Sequence, residues 1–215
     1  MSVATIRLLR AVLIAALLGT GSAWAQTEVI CPPMERKFGP YDYTNASHRA
    51  RYLDTVERRH FTSKVRNLHP RGETGTLIGD INYTLNWFPN HHGALDLLSR
   101  LAVRERNSKP LGTYADIACR FQWARQVSPR DPMVPMIEGL YFHRIGRSAD
   151  ARKLMEAAVE MSPGNATAHY NLGLVLVQMR DFEAARTHAQ RAYELGFPLP
   201  GLRDQLSRAG YPLQN

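Results

Sequence analysis

The chain has 215 residues, with 27 lysines and arginines against 19 aspartates and glutamates and a formal net charge of +8. That length supports one domain with its own core or a short array of repeats. Its basic residues are scattered apart from "VERRH" and "LAVRERNSK", a pattern that fits solvated helix faces and gives no ground for a nucleic-acid binder.

At the start, Arg7 and Arg10 precede an apolar run from Ala11 to Leu18, and the stretch from Gly19 to Ala25 closes in "AWA". A basic start, an apolar stretch shorter than a bilayer span and small residues two apart make a secretory signal peptide over residues 1–25, cleaved near Ala25. Its removal takes two arginines and no acid, leaving 25 basic against 19 acidic residues. No cysteine follows the small residues directly, and no later segment is long and apolar enough to cross a bilayer, so no stable membrane anchor is expected.

Residues 26–75 read as an irregular segment, 26–45, followed by a helix over "ASHRARYLDTVERRHF". The only two cysteines, Cys31 and Cys119, both lie beyond the cleavage point. In an oxidising compartment such a pair most economically forms one disulfide, and neither cysteine has a Cys or His neighbour at metal-ligand spacing. The bridge would pin the Pro-rich segment around Cys31 to the body.

Residues 76–131 read as a degenerate helical repeat region. "GTLIGDINYTLNWFP" predicts a helix with Leu77, Ile81, Thr84 and Leu85 inward, "HHGALDLLSRLAVRE" a first helix, and "TYADIACRFQWARQV" a second with Ala118, Phe121 and Ala124 on one face. Beyond Pro132 the sequence repeats itself at an offset of 34 residues, giving two units, 132–165 and 166–199. Gly139 falls on Gly173, Ala151 on Ala185, Ala158 on Ala192, Phe142 on Leu176 and Met161 on Leu195. The small residues let two helices cross closely, the bulky ones fill the space around them, and Pro163 and Pro198 end each unit. One helix pair cannot cover its own apolar face, so the units must stack. Residues 200–215 read as a capping helix and tail, and Asn165 as the cap of the second unit's first helix.

On these residues the chain resembles a tetratricopeptide repeat protein. Leu172, Gly173, Asp181, Phe182, Ala185, Ala192 and Pro198 meet the family pattern in the second unit, and Gly139, Phe142, Gly146, Ala151, Ala158 and Pro163 in the first. Glu138 and His169 depart from it, standing where the family has leucine and an aromatic residue. The expected fold is therefore all-α, a helix-turn-helix solenoid. The segments "GPYDYT" and "FPNHHGAL" are also similar to those of small exported repeat proteins of Gram-negative bacteria, which implies a periplasmic location.

Sharper chemistry finds little support. His91 and His92 are adjacent, so on a helix they point about 100° apart and cannot readily share a metal. "RGETGTLIGD" lacks the Lys-Ser or Lys-Thr of a phosphate loop, and there is no nucleophile elbow. No cofactor, metal or catalytic residue is expected. The alternative, an envelope enzyme, would need a deep polar pocket with perturbed titratable groups, involving His91, His92, His60 or Asp80.

The family resemblance implies a concave groove lined by first helices. By position this places Met133, Met136, Leu140, His143 and Arg144 in one unit and Thr167, Tyr170, Asn171, Leu174 and Gln178 in the next, with Leu140 and Leu174 assigned to packing between repeats. Met, Tyr, Asn, Gln and Arg together suit an extended peptide or a partner helix. The expected function is a non-catalytic protein- or peptide-binding scaffold, with a self-associating structural module as an alternative.

Overall fold

The computed structural model describes residues 29–34 and 36–213; the expected signal peptide lies outside the described residues. Those residues are all-helical, with no strand among them. In chain order they form α1 (Ala46–His48), a π-helical turn (Arg49–Leu53), α2 (Asp54–His60), α3 (Ser63–Arg66), α4 (Leu77–Trp87), α5 (His92–Glu105) and α6 (Ile117–Val127). Then follow α7 (Met133–Arg144), α8 (Ser148–Met161), α9 (Ala166–Gln178), α10 (Phe182–Glu194) and α11 (Gly201–Arg208).

Short polar side chains start several of these helices by taking up N–H groups that have no intrahelical acceptor. Asn45 accepts from Ser47 and His48, Thr76 from Gly79, Asp116 from Ala118, and Asn165 from Thr167 and Ala168. The first helix of each later pair ends on a left-handed residue: Arg106 after α5, Gly146 after α7 and Arg180 after α9. The next N–H then turns back onto the last helical turn, from Asn107 to the Ala102 carbonyl, Arg147 to Phe142 and Asp181 to Leu176. The same closure three times over produces the repeated hairpin.

Packing falls into two apolar cores that share α7. One joins α4 to α7 around Ile81, Leu85, Leu95, Leu98, Phe121 and Ile137, and the other runs to α11 around Met155, Leu172, Leu176, Leu202 and Leu206. Val134, Ile137 and Tyr141 of α7 face the first core, Met136 faces the second, and Met133 and Phe142 touch both. A helix apolar on more than one face is a central one. Ala151, Ala158, Ala185, Ala189 and Ala192 are wholly buried, which lets the paired helices approach closely.

Glu138, the misfit in the first unit, is buried and pairs with Arg125 of α6. Burial pushes its carboxyl above the usual range, and the guanidinium opposes that shift. The departure from leucine is thus answered by a cation on the preceding helix.

The two repeat glycines have different neighbours. A methyl group on Gly139 would lie 3.2 Å from Met155 and 3.3 Å from the Ala151 carbonyl, at the crossing of α7 with α8. On Gly173 it would run into Leu202 of α11. The second glycine therefore makes room for the capping helix rather than for its own partner α10. Gly173→Leu is expected to displace the buried Leu202, loosen α11 and cost about 1–3 kcal/mol in urea unfolding. An unchanged midpoint would show that α11 does not seat there.

At the other end, the expected helix over residues 46–61 is present but broken in register by the π-helical turn, and α3 is an addition to the expected elements. Cys31 and Cys119 form a disulfide with 5.3 Å between their Cα atoms, and with Ala115, Trp123 and Met34 they make a small third cluster.

Candidate functional site

The first helices α7 and α9 carry the expected groove residues in related pairs at the 34-residue offset. Met133 corresponds to Thr167, Met136 to Tyr170, Leu140 to Leu174 and Arg144 to Gln178. Thr167, Gln178 and Arg144 are exposed; Met133, Leu140, His143, Asn171 and Leu174 are half-buried. Met136 and Tyr170, expected on the groove, lie instead in the second core at 3% and 8% exposure. Tyr170 stacks on Phe197, with ring centroids 4.0 Å apart, and meets Tyr193 edge-on. That repeat position faces the next packed layer, which for α9 is the cap.

His143 and Gln178 come together across α7 and α9. Burial pushes the His143 imidazole below its usual range, and a hydrogen bond with Gln178 pulls the other way. Its Nδ1 is buried and has no hydrogen-bond partner among the described residues. Arg144 pairs with Asp96 of α5 at 2.9 Å and borders a cleft of ≈ 460 Å³ at the ends of α5 and α7. Arg106, Asn107, Ser108, Tyr141 and Ile145 also line that cleft.

A second polar assembly lies where three loops meet. Asp131, buried before α7, accepts hydrogen bonds from Asn90 Nδ2 at 3.1 Å and His92 Nε2 at 2.8 Å through Oδ2, and from the Met133 amide at 3.0 Å through Oδ1. Asn90 Nδ2 also donates to Asp42 Oδ1, and Asn90 Oδ1 accepts from the Tyr43 amide, both at 2.8 Å. Burial raises the Asp42 carboxyl, but hydrogen bonds from Thr44, Asn90 and Ser128 outweigh it and hold the group below its usual range. "GPYDYT" and "FPNHHGAL", far apart in the chain, thus form one junction with the turn before α7.

Residues 138–197, from within α7 to just beyond α10, match a tetratricopeptide repeat family model. That stretch is a tetratricopeptide repeat region. The solved structure of Pseudomonas aeruginosa PilF shares its fold, with a TM-score of 0.54 and 16% identity over 77% of this chain and 68% of that one. No curated protein matches the sequence.

N-terminal to that repeat region, the histidines that could have built a pocket are dispersed into separate pairs. His60 Nδ1 lies 2.8 Å from Asp80, whose carboxylate also takes bonds from Thr74 and the Glu73 amide. Burial raises the Asp80 carboxyl, and these bonds together bring it below its usual range. His92 belongs to Asp131. His91, 1% exposed, bonds Glu57 at 3.0 Å through Nε2, while its Nδ1 accepts the Ala94 amide as the cap of α5. An adjacent pair after an asparagine thus serves as a helix start, one ring capping it and the other bracing it.

The His91 cap fixes a sign for pH dependence. Burial lowers the His91 pKa, with the Glu57 bond opposing, and protonation at Nδ1 would destroy the cap. Burial also lowers His143 and His188. For each, the unfolded chain binds a proton first, so their contribution is complete above the unfolded value of about 6.5 and is lost as pH falls below it. Thermal midpoints should therefore drop between about pH 6.5 and 5. His91→Asn, which keeps a capping acceptor without a titrating ring, should flatten that drop; the same drop in the variant would remove His91 from the account.

Proposed function

We propose that this chain is a non-catalytic scaffold of the bacterial periplasm that holds an extended peptide or a partner helix against its first helices. The observation that supports this reading best is the repeated row on α7 and α9. Met133 and Thr167, Leu140 and Leu174, and Arg144 and Gln178 remain exposed or half-buried at equivalent positions, with Asn171 between them. Apolar edges alternate with amide and guanidinium donors, which is the chemistry needed to seat side chains and bond a partner's backbone. The Cys31–Cys119 disulfide fits an oxidising compartment, and among the described residues no helix is long and apolar enough to cross a membrane.

A photo-crosslinker tests the face. Placed at Gln178 or Thr167 in cells, it is expected to trap an envelope protein, whereas at Lys153, exposed on α8, it is not. Equal adducts at all three positions would refute the groove. Adducts only to a second copy, with a dimeric mass in solution, would replace it with the self-associating module.

A further inference from the structure

His169 of α9 and His188 of α10 face each other with their Nδ1 atoms 3.0 Å apart and their rings tilted by 31°. The other nitrogen of His169, Nε2, lies 3.0 Å from the Pro163 carbonyl and must donate to it. That bond fixes the tautomer and leaves a lone pair on His169 Nδ1, aimed at its neighbour. Between two neutral rings, His188 then carries its proton on Nδ1. Burial and the facing His169 ring push the His188 pKa down, which keeps it neutral at neutral pH.

We propose that His169 and His188 form a binding site for a divalent first-row transition-metal ion of the copper(II) or nickel(II) type, held by the two Nδ1 atoms. With metal–nitrogen bonds of about 2.0–2.1 Å, nitrogens at the observed spacing subtend about 95° at the ion, a cis angle of square-planar or octahedral coordination rather than a tetrahedral one. At those spacings the ion lies about 1.4 Å off the line between the nitrogens, so both rings pivot toward it, and His188 moves its proton from Nδ1 to Nε2. Among the described residues no third His, Cys, Asp or Glu completes a cluster, so water fills the remaining positions. Access comes through a cleft of ≈ 480 Å³ lined by both histidines with Arg186, Thr187, Gln190, Arg191 and Glu194.

The two arginines of the cleft wall and Arg152 beside it do not forbid the site, because each has an acid of its own. Arg186 pairs with Glu183, Arg191 with Glu194, and Arg152 with Glu156 and Asp181. Nor does the fold require imidazoles here: at the 34-residue offset the first unit has Pro135 and Leu154. The preceding repeat closes the same hairpin with apolar side chains.

The test is titration of the full chain with copper(II), nickel(II) and zinc(II) salts, read by calorimetry, thermal midpoint and, for copper, electron paramagnetic resonance. One equivalent of copper(II) or nickel(II) is expected to raise the midpoint, and the copper spectrum to be axial with two nitrogen ligands. His188→Leu copies the residue of the preceding unit and should fold; its affinity is expected to fall by about 10- to 100-fold or more. His69→Ala, on an exposed loop, should leave binding unchanged. Binding as tight in His188→Leu as in the parent, or no saturation by one equivalent, would overturn the proposal.

Discussion

Asp131→Ala is expected to cost about 2–4 kcal/mol of stability, because it strips the acceptor from one buried and two half-buried donors at once. His92 Nε2 loses its bond, Asn90 keeps only the contacts to Asp42 and Tyr43, and the Met133 amide loses its partner at the start of α7. Asp131 is 3% exposed and Asn90 wholly buried, so water does not replace the bond between them without opening the loops. Both apolar cores meet at α7, so the loss reaches each of them. Asp131→Asn retains the shape and one acceptor and should fall between the parent and alanine in a urea titration. A cost under about 1 kcal/mol for the alanine variant would mean that the three loops are held by their apolar contacts alone.

The repeated hairpins were legible in the sequence because they rest on local requirements. Gly139, Gly173 and the buried alanines mark close approach, prolines mark unit ends, and Asn165 marks a helix start. What was not legible depends on partners far along the chain. Glu138 departs from the repeat pattern in sequence, and its partner Arg125 lies on the preceding helix, outside the repeat. The family resemblance puts Tyr170 at a groove position, but α9 is the last first helix, and α11 with Phe197 occupies the place of a following unit. The π-helical turn leaves no hydrophobic period to read, and the four residues of α3 are too few to show one. "GPYDYT" and "FPNHHGAL" could be seen as distinctive, yet their meeting at Asn90 spans more than forty residues and has no local signature.

Cys31→Ser with Cys119→Ser is expected to lower stability by about 2–4 kcal/mol, and reductant to do the same to the parent. The bond closes a loop of 88 residues, long enough for chain entropy alone to account for the upper part of that range. The consequence is larger than the small cluster around Cys119 would imply, because the strap from Cys31 to Tyr43 is attached at its other end as well. Phe38 stacks on Trp87 at 5.4 Å, the Tyr41 amide donates to the Trp87 carbonyl at 2.9 Å, and Tyr43 binds Asn90. With the disulfide intact, the strap holds α6 to the end of α4 and the start of α5; without it, only the aromatic end remains. Thiol labelling of the unfolded, unreduced protein should leave both cysteines unmodified. If both label readily, the bridge is absent in solution. If they resist labelling but the double variant melts like the parent, the strap detaches before the helices unfold and contributes nothing to the cooperative transition.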